Sequence, residues 1–460
     1  MKTILKPTNY RHMNVVVLCI CFILNQNLNA QLNHPEVVNE KSNKITKTTQ
    51  PEVKLSDKLE NWKTDSFFWR TRITGNWWGA RDIFEQYGFE VGFDYTGEIF
   101  SNRIGGLEQK TDYLQNFNLT FNFDLKQMLD WDGASINVYF LGNNGGVPGD
   151  ASGAAQGISN IAANNTWKLY EFWIQQNLFE DKLSLLAGLY DLNSEFDTRL
   201  SSALFINPSH GIGPDYSQSG LNGPSIFSTT SLGFRALYHL SENVYIQGAV
   251  FDGVSGDPEN PYGTHISLSK EDGALIAGEF GIITNSDNLG KGYSKLAFGA
   301  WYYTSEFESV FQPGELGRPD IIEGNYGLYA FVEKFLHAES GDQEQGLAGF
   351  LRVGIADENV NQFGFYFGSG LTYKGLIKGM DNDLIGIALA LAKNGSQFIK
   401  NAETVGELVD EFEINIELTY SINILPWLLI QPDFQYVINP GTISNIDNAL
   451  VLGSRIAIVF

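Results

Sequence analysis

Cysteine is almost missing from this sequence: the two present, Cys19 and Cys21, both fall within the first thirty residues. An exported protein often relies on disulfides, so the remainder of this chain must be held together by other means. Basic residues are scarce as well, 30 Lys and Arg against 53 Asp and Glu, for a formal charge of -23. That balance excludes a nucleic-acid binder, whose phosphate contacts need a cationic surface. Long apolar runs are absent after Ala30. The nearest, LIGIALALA (384–392), is bracketed by Asp383 and Lys393, whereas a spanning helix needs about 20 apolar residues. Histidines stand only at 12, 34, 210, 239, 265 and 337, and no spacing puts two on one face as metal ligands. No Gly-rich loop ends in Lys-Ser or Lys-Thr, and GNNGG (142–146) lacks the following helix that phosphate binding requires. No metal and no cofactor are expected.

The first thirty residues are a separate object. Lys2, Lys6 and Arg11 form a basic start, VVVLCICFIL (15–24) is a short apolar run, and LNA (28–30) ends small. This is the anatomy of a secretory signal, with cleavage expected after Ala30. The mature chain would then be more acidic still and free of cysteine. Residues 31–66 are polar, rich in Lys, Thr, Asn and Glu, with Pro35 and Pro51; they read as a flexible N-terminal extension. A short helix is expected from Ala80 to Tyr87.

What is plentiful is glycine (48), aromatics (13%) and a period of two. In EFEINIELTYS (411–421), Phe412, Ile414, Ile416, Leu418 and Tyr420 fall on one side of an extended chain; Glu411, Glu413, Asn415, Glu417 and Thr419 fall on the other. The same alternation runs through FEVGFDYTGEIF (89–100) and QNFNLTFNFDL (115–125). Further strands are expected near 134–141, 167–177, 183–192, 231–240, 244–252, 274–283, 294–303, 326–336, 347–357, 362–372, 383–392, 428–437 and 449–460, for 16 in all. About 10 residues at ~3.3 Å rise and ~45° tilt reach roughly 23 Å, close to the ~25 Å apolar band of a membrane barrel. Trp167, Tyr170, Trp301 to Tyr303, Tyr420, Trp427 and Tyr436 gather at segment ends, where an interfacial belt would sit. The chain closes on an alternating strand ending in Phe460, a pattern typical of bacterial outer-membrane barrels, whose last strand is read during assembly. A membrane protein without spanning helices must be a closed barrel, since lipid satisfies no backbone hydrogen bonds. The reading is therefore all-β: a single transmembrane antiparallel β-barrel of about 16 strands over 67–460, in the bacterial outer membrane. A two-domain β-sandwich shares the alternation but calls for a linker near the middle, where only the loop SGDPENPYG (255–263) stands.

Several blocks are more specific than a period. TGNWWGARD (74–82), FDYTGEIFSN (93–102), WDGASINVYFLGNNGG (131–146), TWKLYEFWIQQ (166–176), LSLLAGLYDLNSEFD (183–197), FINPSHGIGPDYSQSGLNGPSIFSTTSLGFR (205–235), AVFDGVSGDPENPYG (249–263) and IQPDFQYVINPG (430–441) occur in this order. In these the sequence resembles the carbohydrate-selective porins of the OprB type, over about residues 70–460. It departs from that pattern in having Asn76 where an acid is usual and Trp78 where a glycine is common. The resemblance implies passive passage of mono- or oligosaccharides into the periplasm, with sugars as permeating solutes and outer-membrane lipid outside. It also implies the barrel-assembly machinery as a partner of the strand ending at Phe460, with association of identical barrels left open.

The stretch 193–230 is the longest between strands, punctuated by Gly and Pro, and is expected to fold inward as a constriction loop. It carries Glu195, Asp197, Arg199, His210 and Asp215. Carboxylates and an arginine offer acceptors and donors together, which suits sugar hydroxyls shedding water. The phase of the strands puts Glu90, Asp94, Glu98, Glu171, Glu279, Glu333, Glu411, Glu413, Glu417 and Asp433 in the lumen, with Lys295, Arg235, Arg352 and Arg455 facing them. Trp173 and Trp301 could stack on sugar rings. Of these, the expected substrate path is formed by Glu195, Asp197, Arg199, His210, Asp215, Arg235, Glu90, Asp94, Glu98, Glu171 and Trp173. The acid excess should disfavour anions. Two other classes fit the composition less well: a pore-less adhesin or scaffold barrel, and an outer-membrane hydrolase built on His239 and a serine. Asp257 and Glu259 of SGDPENPYG read as a turn rather than a Ca²⁺ loop.

Overall fold

The computed structural model describes residues 67–460 apart from 69, 265, 267, 286–287 and 312–318. The expected signal (1–30) and extension (31–66) lie outside the described residues. Sixteen strands, numbered in chain order, form one closed antiparallel barrel. They are β1 (Phe89–Ile104), β2 (Thr111–Asp124), β3 (Ala134–Gly145), β4 (Thr166–Leu178), β5 (Leu183–Tyr190), β6 (Ser231–Ser241), β7 (Val244–Asp252) and β8 (Ala274–Thr284). Then follow β9 (Ser294–Glu308), β10 (Ile321–Ala338), β11 (Gly346–Ala356), β12 (Phe363–Lys374), β13 (Leu384–Asn394), β14 (Phe412–Leu425), β15 (Leu428–Ile438) and β16 (Ala449–Val459). Each pairs with its sequence neighbours, and β16 returns to β1 with Asp94 opposite Val459 and Glu98 opposite Arg455. No edge is left open, which a barrel in lipid requires.

The connections alternate in length. At one end lie tight links such as 242–243 and 426–427; at the other lie 146–165, 191–230, 253–273 and 395–411. Outer-membrane barrels keep short turns on the periplasmic side and long loops outside. A helix, α1 (Ala80–Gln86), precedes β1 on the short-turn side. There Arg81 lies over the Trp77 ring at 4.0 Å and donates to the carbonyl of Phe460 at 2.9 Å, while the amide of Ile73 donates to Val459 at 2.7 Å.

The two-residue period sorts the strands as the sequence suggested. On β9, Leu296, Phe298 and Tyr302 face outward and are exposed, whereas Lys295, Ala297, Trp301 and Tyr303 face inward and are buried. Outward Ile276, Phe280 and Ile282 on β8, Leu328 and Val332 on β10, and Leu351, Val353 and Ile355 on β11 continue an exposed apolar band. So much contiguous apolar surface is foreign to a protein bathed in water and suits a hydrocarbon surround.

The abundance of glycine and aromatics has a packing cause. Gly233 is the cross-strand partner of Phe251, Gly299 of Tyr329, Gly327 of Trp301, Gly281 of Tyr245 and Gly453 of Phe100. In each pair a side chain on the glycine would run into the partner's ring. The ring lies across the bare backbone, an aromatic rescue of a strand glycine that pins register.

Three expectations need correction. Trp167 and Tyr302 are exposed on the outer face, but Tyr170, Trp301 and Tyr303 are buried inside and belong to no outer belt. Trp301 stacks on Tyr216 of the segment 191–230, with centroids 5.0 Å apart, so its ring face is already covered. Glu411 stands beyond the start of β14 and is exposed, paired with Lys393 at 2.8 Å, rather than inside the lumen.

Candidate permeation pathway

Several inward acids are met by backbone amides as well as by side chains. On β8, Glu279 accepts the Asp197 amide at 2.9 Å and the hydroxyls of Tyr245 and Tyr329 at 2.8 and 2.6 Å. Glu333 on β10 accepts the amides of Leu200 and Ser201 at 3.1 and 2.9 Å. Glu417 on β14 takes the amides of Ile206 and Asn207 at 2.6 and 2.9 Å. The segment 191–230 thus runs across the lumen and is fastened to three separate strands by amide-to-carboxylate bonds, one at Glu279 and two each at Glu333 and Glu417, among the stronger hydrogen bonds a protein makes. A second segment, 146–165, is held the same way. Glu413 accepts the amides of Ala155 and Gln156 at 2.8 and 2.9 Å, and the Glu98 carboxylate takes the Ser159 hydroxyl at 2.5 Å and pairs with Arg455.

Deeper in the same packing lies an ionic group. Arg352 of β11 pairs with Asp197 at 2.8 Å and with Asp215, and Arg199 also pairs with Asp197. Arg199 donates to the carbonyls of His210 and Gly211, each at 2.9 Å, and lies over the Phe331 ring. His210 is fully buried between Phe205 and Phe350. Burial, with the Arg199 charge nearby, pushes its imidazole down to about 3, so it is neutral at ordinary pH. Asp197, Arg199, His210 and Asp215 are each at most 5% exposed. They hold the segment to the wall, out of reach of a passing solute.

The open part of the lumen lies on the opposite flank. A cavity of about 870 Å³ is lined by Glu90, Asp94, Asn118, Asn122, Asn137, Tyr139, Glu171, Trp173, Gln175, Tyr190 and Glu195, from β1 to β5 and the start of the inward segment. Glu195 receives both Arg235 Nε and Nη2, at 2.6 Å each, a bidentate pair, and also the Tyr190 hydroxyl at 2.7 Å. Arg235 is itself held by the Ser184 carbonyl and hydroxyl. Trp173 donates its indole N–H to Glu171 at 3.0 Å, and the other Glu171 oxygen accepts the Asp191 amide at 3.2 Å. The Asp191 carboxylate takes the Tyr170 hydroxyl at 2.5 Å; burial lifts its acidity range to about 6 despite that bond and the backbone amides of Asn193, Ser194 and Phe227.

The residues singled out in the sequence therefore separate into two groups. Glu90, Asp94, Glu171, Trp173 and Glu195 surround one cavity, with Arg235 beneath Glu195. Asp197, Arg199, His210 and Asp215 lie in the packing that fills the other flank, and Glu98, on β1, is buried against Ser159 of the segment 146–165 and Arg455. Sequence reading overlooked the asparagines of β2 and β3, Glu85 of α1, Gln127 at the β2–β3 connection, and the whole inward course of 146–165. The small-residue run ASGAAQGISNIAANN (151–165) was the available signal for close packing. Among the described residues no group of three metal-binding side chains occurs, and the Asp257 carboxylate is engaged by the Glu259 amide within its own turn.

A closed sixteen-stranded barrel with an apolar outer band, a polar lumen and loops folded inward defines a bacterial outer-membrane porin. The profile of the carbohydrate-selective porin, OprB family, matches residues 108–460, and the chain belongs to that family. Porin B of Pseudomonas aeruginosa is 25% identical over 421 residues, covering 84% of this chain and 91% of that protein. The putative porin QuiX of Acinetobacter baylyi is 18% identical, covering 85% of this chain and 94% of that one. In three dimensions the high-pH structure of Pseudomonas putida OprB matches with a TM-score of 0.77 at 22% identity, over 86% of this chain and 100% of that chain.

Proposed function

We propose that this outer-membrane channel lets uncharged mono- and short oligosaccharides diffuse passively into the periplasm along the β1–β5 flank. The observation that carries this reading is the cavity in which Trp173 stands beside Glu171, with Glu195, Tyr190 and a row of asparagines around it. A sugar must trade water for hydroxyl partners of both kinds, and this wall offers carboxylate acceptors, amide donors and an aromatic face. Shared among many groups, each contact stays weak, which favours passage over retention. Charged solutes are sorted by the same wall: six carboxylates, Glu85, Glu90, Asp94, Asp124, Glu171 and Glu195, line the cavity and Arg235 is neutralised by Glu195, so anions are disfavoured. The same reading takes Phe460, at the end of the closing strand, as the point engaged by the assembly machinery.

Planar-bilayer recording tests the proposal. Open-channel current in salt should fall in a saturable way on adding glucose or a short maltodextrin, and Trp173→Ala should weaken that block. A channel whose current is indifferent to every sugar tried would refute it.

A further inference from the structure

We propose a second sugar-binding subsite at the long-loop mouth, a loading position for a single uncharged hexose before the β1–β5 cavity; it rests on the function proposed above. A separate cavity of about 190 Å³ lies there. It is less than a quarter of the β1–β5 cavity, the scale of one sugar ring and not of a chain. Its lining includes Lys168 of β4, Asn164, Asn222, Ser228, Thr229 and Asp257.

The walls are built rather than incidental. Thr166 of β4 donates to the Pro261 carbonyl at 2.6 Å and Thr264 to the Leu169 carbonyl at 2.8 Å, tying the loop 253–273 to β4. Ser255, itself buried, joins that loop to 191–230 by donating to the carbonyls of Gly223 and Asn222 at 2.9 and 3.2 Å. The half-buried Lys168 ammonium and the Asp257 carboxylate both line this space, and no ion pair joins them. An ammonium and a carboxylate that share a small cavity without pairing present a donor and an acceptor to whatever lies between. A neutral polyol meets both; an anion or a cation would satisfy one and be repelled by the other.

The position along the path is also defined. On β4, Thr166 and Lys168 line this cavity, Glu171 and Trp173 line the larger one, and the inward-facing Tyr170 stands between them. Its ring meets Tyr139 edge-on at 4.9 Å and Phe227 at 6.4 Å. This ring cluster separates the two cavities, which serve the proposed path as successive stations.

Glucose-induced current noise, with glucose added to one face of the bilayer at a time, separates the stations. Lys168→Met keeps the apolar stem and Asp257→Asn keeps the oxygen that the Glu259 amide uses. Each should lower the glucose association constant about tenfold, the loss of one hydrogen bond to a charged group, from the long-loop face only. Ser228→Ala should give a smaller loss with the same sidedness, and serves if either charge variant fails to assemble. Trp173→Ala should act from both faces. Association constants within twofold of wild type for all three outer variants, with Trp173→Ala still effective, would overturn the subsite alone. A wild type that glucose does not block from either face would overturn the sugar reading itself.

Discussion

Glu195 is the residue on which the cavity's electrostatics turn. It holds Arg235 by two bonds of 2.6 Å while keeping part of its surface open to the lumen. Glu195→Gln should leave Arg235 buried with one acceptor fewer and tilt the cavity toward anions; reversal potentials in a salt gradient would record the loss of cation preference. Arg352 acts differently. Arg352→Met strands Asp215 and half of Asp197 in the interior, which costs about 3–5 kcal/mol for a broken buried pair; thermal melts in detergent would register it. His210 sets a pH dependence. Its folded-state acidity, about 3, lies below the ordinary value of 6.5. The neutral form is therefore the one the fold accommodates, and stability is lost as pH falls from about 6.5 toward 3. His210→Phe should remove that part of the loss, so the gap between variant and wild-type melting temperatures should shift in the variant's favour as the buffer is acidified.

Among the elements, the segment 191–230 owes its course to wall glutamates on β8, β10 and β14. Glu417→Gln retains one acceptor and turns an N–H₂ toward a backbone amide, leaving a buried donor unsatisfied at a cost of about 1–3 kcal/mol. The barrel should survive and the segment loosen, seen as larger and noisier single-channel conductance. The strands themselves were legible in the sequence because their signal is local: a two-residue period needs no knowledge of the partner strand, and all sixteen stand where it put them. The role of each inward acid was not legible. Glu413 and Glu417 sit in the same phase as Asn415, and nothing within EFEINIELTYS tells whether water or a distant amide will meet them. That is settled by residues 155–156 and 206–207, more than two hundred positions away.

For the whole molecule the consequence is an uneven lumen. One flank is filled by docked chain fastened to β8, β10 and β14; the other, β1 to β5, holds the open cavity. The acid excess of the sequence overstates the charge a solute meets, since Glu279, Glu333, Glu413 and Glu417 are covered. Cation preference should accordingly be modest and should fall as salt is raised and screening shortens; selectivity measured at several salt concentrations would show this slope. The barrel should also migrate differently in boiled and unboiled detergent samples, its hydrogen-bonded ring being continuous.

The stitch beneath the barrel, where Arg81 grips the carbonyl of Phe460 and Ile73 grips that of Val459, has a bearing on how such a chain comes into being. A turn ahead of the first strand is moored to a strand made nearly four hundred positions later. Until that closing strand arrives, the turn has no anchor, however well the middle of the chain has curled.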